Sequence, residues 1–325
     1  MTFTRFLLAG ALASTCSPLL ADPLPSWNDT GAKSTIRAFV DSVTDPASPD
    51  YVTPADRVAV FDNDGTLWAE RPVYFQFLFA VERLGELAAE DPSILTSDAL
   101  KAAAKGDLRA ALAGGEAALL QIVAVSHSGM SVDDFQKTVK DWLDTARHPA
   151  TERPYPEMTY QPMLELLRYL RDEEFETYIV SGGGIHFVRA FSQQVYGIPP
   201  ENVIGSAGRT RYAVIDGVPT ILKEPGLAFL DDGEGKPVGI DTHIGKRPIL
   251  VAGNSDGDFE MLEWATAGPG ARLGMIIHHT DAAREWAYDR DSHVGQLARG
   301  LDEAAARGWL VVDMAKDWQS LWPGR

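Results

Sequence analysis

The sequence predicts an α/β fold, a parallel sheet covered on both faces by helices and interrupted by one long helical insertion. Two observations carry this. From about residue 161 onward, short apolar runs alternate with helical stretches, and strands separated by helices form parallel sheets buried on both sides. Ahead of that alternation, between a first apolar strand near residue 57 and about residue 146, lies a region rich in Ala, Leu and Glu with little strand signal. A chain of 325 residues has room for a large domain carrying such an insertion. Its 45% hydrophobic and 23% charged residues are the balance of a globular protein.

Taken in order, 34–43 reads as a first helix and Arg57-Val58-Ala59-Val60-Phe61 as a buried strand that runs into carboxylates. The helical region from about 72 to 146 is broken at Gly114-Gly115 and closed by Arg147-His148-Pro149. Then come a helix at 161–171, a strand at 175–180 and a helix at 185–196 stopped by Gly197 and Pro199. Short strands are predicted at 203–205, 210–215 and 219–222, with Asp216-Gly217 as a turn. A short helix at 237–244 leads to a strand at 249–252, and segments 259–265, 273–277, 282–288, 294–306 and 309–312 continue the alternation. The expected division is a leader at 1–21, a core built from 22–68 and 150–325, and a cap inserted at 69–149.

The leader rests on Arg5, the apolar run from Phe6 to Ala13, and the exit Leu19-Leu20-Ala21, a pattern similar to a secretory signal peptide. The run is too short to span a bilayer, and the residues around Cys16 make a poor lipoprotein signal. Cys16 is the only cysteine, so a processed chain has no disulfide, thiol nucleophile or thiolate metal site. Export of a disulfide-free protein suits a bacterial periplasm. The net charge of −17 argues against a nucleic-acid partner and against adhesion to anionic membranes.

Three polar clusters follow predicted strands, at the sheet edge where open α/β proteins bind ligands. The first is Asp62-Asn63-Asp64-Gly65-Thr66. Its four fixed residues arise by chance in roughly 0.002 of chains this long. Two carboxylates so close repel unless a cation or proton lies between them, and a carboxylate is able to attack phosphorus. The second, Ser181-Gly182-Gly183-Gly184, places a hydroxyl and bare N–H groups at a strand-to-helix junction, as a phosphate cradle requires; an ordinary turn reads the same way. The third, Gly253-Asn254-Ser255-Asp256-Gly257-Asp258, offers oxygen ligands suited to a hard cation, and again fits simple turn chemistry.

In this order the clusters resemble the haloacid dehalogenase superfamily, specifically its phosphoserine-phosphatase-like branch, over about residues 57–265. The resemblance implies a Rossmann-like core and a Mg²⁺-dependent hydrolase of small phosphate monoesters acting through an aspartyl-phosphate. Asp62 is then the nucleophile and a metal ligand, and Asp64 the acid/base whose main-chain carbonyl also binds metal. Ser181 and the Gly182 N–H hold the phosphoryl oxygens. Asn254 and Asp258 complete the metal shell, with Asn254 standing where the family usually has Asp. The family also needs a lysine beside the nucleophile. Lys236 precedes a short helix feeding the 249–252 strand, as the family lysine does; Lys246 and Lys223 are the alternatives. Asp64 favours phosphate over halide chemistry, because an alkoxide leaving group needs a proton.

Trp68, Glu70, Arg71 and Tyr74 leave the nucleophile loop and are substrate candidates, with His127 and Arg147-His148 polar residues of the insertion. The insertion has the place of a lid that excludes water and selects the leaving group. His278-His279 and the eight tryptophans read as structural. A phosphotransferase or phosphonate hydrolase on the same scaffold, or a binding protein with a decayed site, are the other function classes.

Overall fold

A computed structural model describes residues 21–324. The leader, apart from Ala21, and Cys16 lie outside the described residues. Seven strands form one sheet in the order β4-β3-β2-β1-β5-β6-β7. The strands are β1 (Val58–Phe61), β2 (Glu176–Gly184), β3 (Val203–Ile215), β4 (Val218–Phe229), β5 (Leu250–Gly253), β6 (Leu273–His278) and β7 (Leu310–Asp313). All neighbours are parallel except β3 and β4. The α/β class holds.

The alternation of side chains along β1 shows why its run is continuously apolar. Ala59 and Phe61 enter one core cluster and Val58 and Val60 the other, all at 1% exposure or less. A strand buried on both faces needs an apolar residue at every position. Helices α1 (Gly31–Thr44) and α7 (Gln161–Asp172) contribute to the first cluster; α10 (Gly235–Ile244) and α11 (Phe259–Thr266) contribute to the second.

Between β1 and β2 run α2 (Phe75–Glu90), α3 (Asp98–Ala103), α4 (Leu108–Ala111), α5 (Gly115–Ser126) and α6 (Val132–Thr145). This insertion has its own small core, in which Phe77, Leu84, Leu100 and Ile122 are buried. The helix expected at 185–196 divides into α8 (Ile185–Arg189) and α9 (Ser192–Tyr196). The two short strands expected at 203–215 are one strand, paired with a longer β4. The turn between them is Asp216-Gly217, with φ of 50° and 82°, the two left-handed residues that a tight hairpin turn requires. Segment 282–288 forms turns rather than a regular element, and 294–306 is helical only in α12 (Arg299–Arg307). A last short helix, α13 (Met314–Asp317), follows β7.

Strand β4, at the edge of the sheet, also bonds to the insertion. Lys223 N–H donates to the Met130 carbonyl at 2.9 Å, and Gly129 N–H to the Lys223 carbonyl at 3.0 Å. Among the described residues no helix is long and apolar enough to cross a membrane.

Candidate active site

The pairing of β1 with both β2 and β5 brings the ends of these three strands together. Asp62 leaves β1 with its amide bonded to the Ala252 carbonyl at 2.9 Å, and is 6% exposed. The next residues turn back sharply, the amides of Thr66 and Leu67 both donating to the Asn63 carbonyl. Gly65 is obligatory in that turn: its φ is 76°, and a Cβ there would lie 2.0 Å from Asn254 Nδ2.

Of the three lysines, Lys236 is the one that reaches Asp62. From the start of α10 its Nζ donates to Asp62 Oδ1 at 2.6 Å, Asp258 Oδ1 at 2.5 Å and the Val180 carbonyl at 3.1 Å. It is 2% exposed, and the two carboxylates overcome its burial and raise its pKa, so it stays charged. Burial and the Asp258 charge push Asp62 up, against the pull of Lys236. Lys246 instead pairs with Asp56 on the surface at 3.0 Å. Lys223 bonds to His186.

Asp64 is half-buried. Trp68 Nε1–H donates to its Oδ1 at 2.9 Å, and burial raises the carboxyl pKa. A raised carboxyl pKa suits a group that must hold and give a proton. Ser181, fully buried at the end of β2, accepts at Oγ from Gly183 N–H at 3.0 Å, which leaves its own hydroxyl hydrogen available to donate. Gly182 is exposed at the mouth of the same loop.

The third cluster departs from expectation at Asp258. Its Oδ1 binds Lys236, and its Oδ2 accepts from the Asn254 and Ser255 amides at 2.9 and 3.0 Å. Gly253 makes this fold-back possible, since a Cβ there would sit 2.4 Å from Asp258 Cγ. Both oxygens of Asp258 are engaged by protein donors, and the carboxylate anchors the lysine. Asn254 Oδ1 accepts from Thr66 Oγ1 at 3.1 Å, and its Nδ2 donates to Glu70 Oε1 at 2.8 Å. Among the described residues no group of three or more His, Cys, Asp or Glu side chains forms a metal cluster. The oxygens with capacity to spare are Asp62 Oδ2, whose sole bond is a long 3.4 Å one from Thr66, the Asp64 main-chain carbonyl, and Asn254 Oδ1. An all-oxygen set of this kind fits Mg²⁺, which takes few protein ligands and keeps waters.

The substrate candidates are placed otherwise than expected. Trp68 is 1% exposed among Phe75, Phe187 and Phe191, serving Asp64 rather than facing solvent. Glu70 is equally buried, accepting from Asn254 and from Tyr288 O–H at 2.7 Å. Arg71 bonds to Ser292 and stacks on Tyr288. His127 lies between Phe79 and Phe135, with Gln76 donating to its Nε2 and its Nδ1–H bonded to Ser126. His148 is fully buried and donates to the Arg71 carbonyl.

Sequence reasoning missed Gln76 and understated His279. Gln76 Oε1 accepts from Gly184 N–H at 2.7 Å. His279 Nε2–H donates to the Gly65 carbonyl at 2.8 Å, while its Nδ1 meets Glu285, itself bonded to Tyr160. No motif marks either residue; only the packing of distant segments reveals them.

The central strand ends of the α/β sheet thus bring together paired aspartates and a Ser-Gly loop, with a buried lysine from the start of α10 beside them. A family model for haloacid dehalogenase-like hydrolases matches residues 59–263, and the chain belongs to that family. A search of curated proteins gave no match. Among solved structures, a functionally unknown protein from Anaerococcus prevotii DSM 20548 is similar over 80% of this chain and 88% of its own, at 17% identity and a TM-score of 0.52. Another of unknown function, from Bordetella pertussis Tohama I, is 18% identical over 79% and 98%, with a TM-score of 0.48. A phosphoserine phosphohydrolase-like protein from Francisella tularensis subsp. tularensis SCHU S4 is 17% identical over 77% and 98%, with a TM-score of 0.39. At these identities the first shows a shared fold.

Proposed function

We propose that the chain is an exported, Mg²⁺-dependent phosphatase of small phosphate monoesters, working through an aspartyl-phosphate on Asp62. The observation that carries this reading is the buried Lys236 ammonium holding Asp62 Oδ1 at 2.6 Å, beside the Asp64 carboxyl whose pKa burial raises.

Lys236 fixes the Asp62 carboxylate in one orientation and neutralises charge as an anionic phosphoryl group approaches. The Asp62 carboxylate attacks phosphorus, and the ester oxygen leaves with the proton of Asp64. Asp64, now ionised, then takes a proton from the water that hydrolyses the aspartyl-phosphate, which returns both carboxyls to their starting state. Ser181 O–H and the Gly182 N–H bind the phosphoryl oxygens. Asp62, the Asp64 carbonyl and Asn254 would hold Mg²⁺, which supplies positive charge against the transferring group. Asp258 acts through Lys236. The insertion, residues 69–149, is the lid over this edge of the sheet, and the leader directs the chain out of the cytoplasm.

The test is phosphate release from a panel of monoesters, with Mg²⁺ and with EDTA, by leaderless protein and its Asp62→Asn variant. Metal-dependent release that vanishes in the variant is expected. Folded protein that releases no phosphate from any ester would sink the reading and favour a binding protein.

A further inference from the structure

The reaction as derived leaves one buried cation without a task. Lys223 on β4 is 8% exposed, and its contacts carry no negative charge: Nζ donates to His186 Nδ1 at 3.2 Å and lies 4.3 Å from the centre of the Phe135 ring. Burial alone, with no carboxylate to offset it, lowers its pKa to about 8. Acidic residues outnumber basic ones by 46 to 29 in this chain. A buried ammonium left without a carboxylate in such a background is unfavourable unless something else supplies the charge.

The surroundings point to a ligand. His186 accepts at Nδ1 from Lys223, and burial, with the Lys223 and Arg189 charges, lowers its pKa to about 4, so the ring is neutral and carries its proton on Nε2. No described residue accepts from that N–H. His186 is half-buried and follows the Gly182-Gly183-Gly184 loop after a single residue. The path to the reacting groups is short. Gln76 Oε1 accepts from Gly184 N–H, and a Cβ on Gly183 would stand 3.2 Å from Gln76 Oε1 and 3.6 Å from Asp64 Oδ2. Gln76 and Asp64 thus flank the same glycine. The two-bond ladder between Lys223 and residues 129–130 fixes the lysine backbone against the insertion. Lys223 and His186 therefore form a donor pair that follows directly on the glycine loop.

We propose that Lys223 and His186 bind a second anionic group of the substrate, a carboxylate or a second phosphate, so that the enzyme selects short phosphate esters that carry such a second group. This rests on the phosphatase reading above. The chemistry is that of a preformed cationic point: an ester bearing the second anion pairs the lysine, whereas an analogue without that group leaves it buried and unpaired.

The experiment compares kcat/KM for 3-phosphoglycerate with glycerol 3-phosphate, and for fructose 1,6-bisphosphate with fructose 6-phosphate, all with Mg²⁺. Wild type is expected to prefer the acid or the bisphosphate in its pair, and which pair shows the preference tells carboxylate from phosphate. Lys223→Met should reduce that ratio by about 10- to 100-fold, the range for a hydrogen bond to a charged group. Lys223→Arg should retain part of it. The half-buried His186→Gln offers a second, milder test of the same ratio should the methionine variant fold poorly in thermal melts. Equal turnover within both pairs by wild type overturns the proposal, as does an unchanged ratio in the folded variants. If wild type releases phosphate from other monoesters of the panel but from none of these four, the subsite proposal fails alone; release from no ester at all sinks the phosphatase reading and the subsite with it.

Discussion

Asn254 illustrates how a single residue is chosen by its neighbours. An aspartate at this position would face Glu70 Oε1 across the 2.8 Å now spanned by the amide, and both carboxylates would be buried. Burial, and the charges of Asp64 and Asp62, already push Glu70 well above its usual pKa, so another charge there is strongly opposed. The amide solves this by donating to Glu70 and accepting from Thr66. Asn254→Asp is therefore expected to destabilise metal-free protein by about 1–3 kcal/mol. The exchanged pair, Asn254→Asp with Glu70→Gln, should recover most of the loss; urea unfolding of both variants in EDTA gives the coupling, and strict additivity would contradict the argument. Lys236 presents the opposite case. Replacing it with Met leaves Asp62 and Asp258 buried without their cation, and a loss of about 3–5 kcal/mol is expected for breaking a buried pair. A loss below about 1 kcal/mol in the same unfolding measurement would mean that the carboxylates find other partners or protonate without strain.

At the scale of the element, what the sequence made legible were the segments whose structure is decided locally. Strand β1 reads from its unbroken apolar run, and the loop after it reads from Asp, Gly and Thr at fixed spacing. Lys236 was selected because it opens the helix before β5, and the helix is there. What escaped were contacts made across the chain. Glu70 looks like a substrate residue until Asn254 and Tyr288, 184 and 218 residues away, close over it. The β3–β4 hairpin is legible at its Asp216-Gly217 turn, but the continuity of β3 and the full length of β4 are not, because its outer half is exposed: Tyr212 is 65% and Val218 61% accessible, so neither alternation nor burial constrains the pattern. The same exposure implies unequal stability along the hairpin. Amides near the Asp216-Gly217 turn should exchange hydrogen quickly, whereas Lys223 and Gly129, bonded across to each other's segment, should be slow. Hydrogen-exchange mass spectrometry resolves the two regions; uniform protection would show that the outer half is covered in solution.

For the whole molecule the decisive feature is a set of buried carboxyl groups held above their ordinary range at one end of the sheet. Asp62, Asp64, Glu70 and Asp231 are all raised, burial being the largest cause for each. Asp231 is fully buried, its carboxylate meeting nothing closer than a loose approach of the Ser181 amide, and its pKa is pushed up to about 7. A carboxyl with a raised native pKa binds its proton more tightly in the folded state. Its contribution is complete below the unfolded value near 4 and is lost as pH rises through about 7. The groups lowered by salt bridges and caps, such as Asp56, Asp91 and Asp302, lie on the surface and titrate below this window. Metal-free protein is thus expected to be less stable at pH 8 than at pH 5.5. Mg²⁺ reverses the trend if Asp62 is among its ligands, because a ligand that binds only the folded, deprotonated site stabilises it most where the carboxyl is ionised. Thermal melts at the two pH values, with EDTA and with millimolar Mg²⁺, should show a Tm increase that is larger at pH 8. A Tm indifferent to Mg²⁺ at pH 8 would remove the cation from the site, whereas an equal increase at both pH values would place it on carboxylates outside this buried cluster.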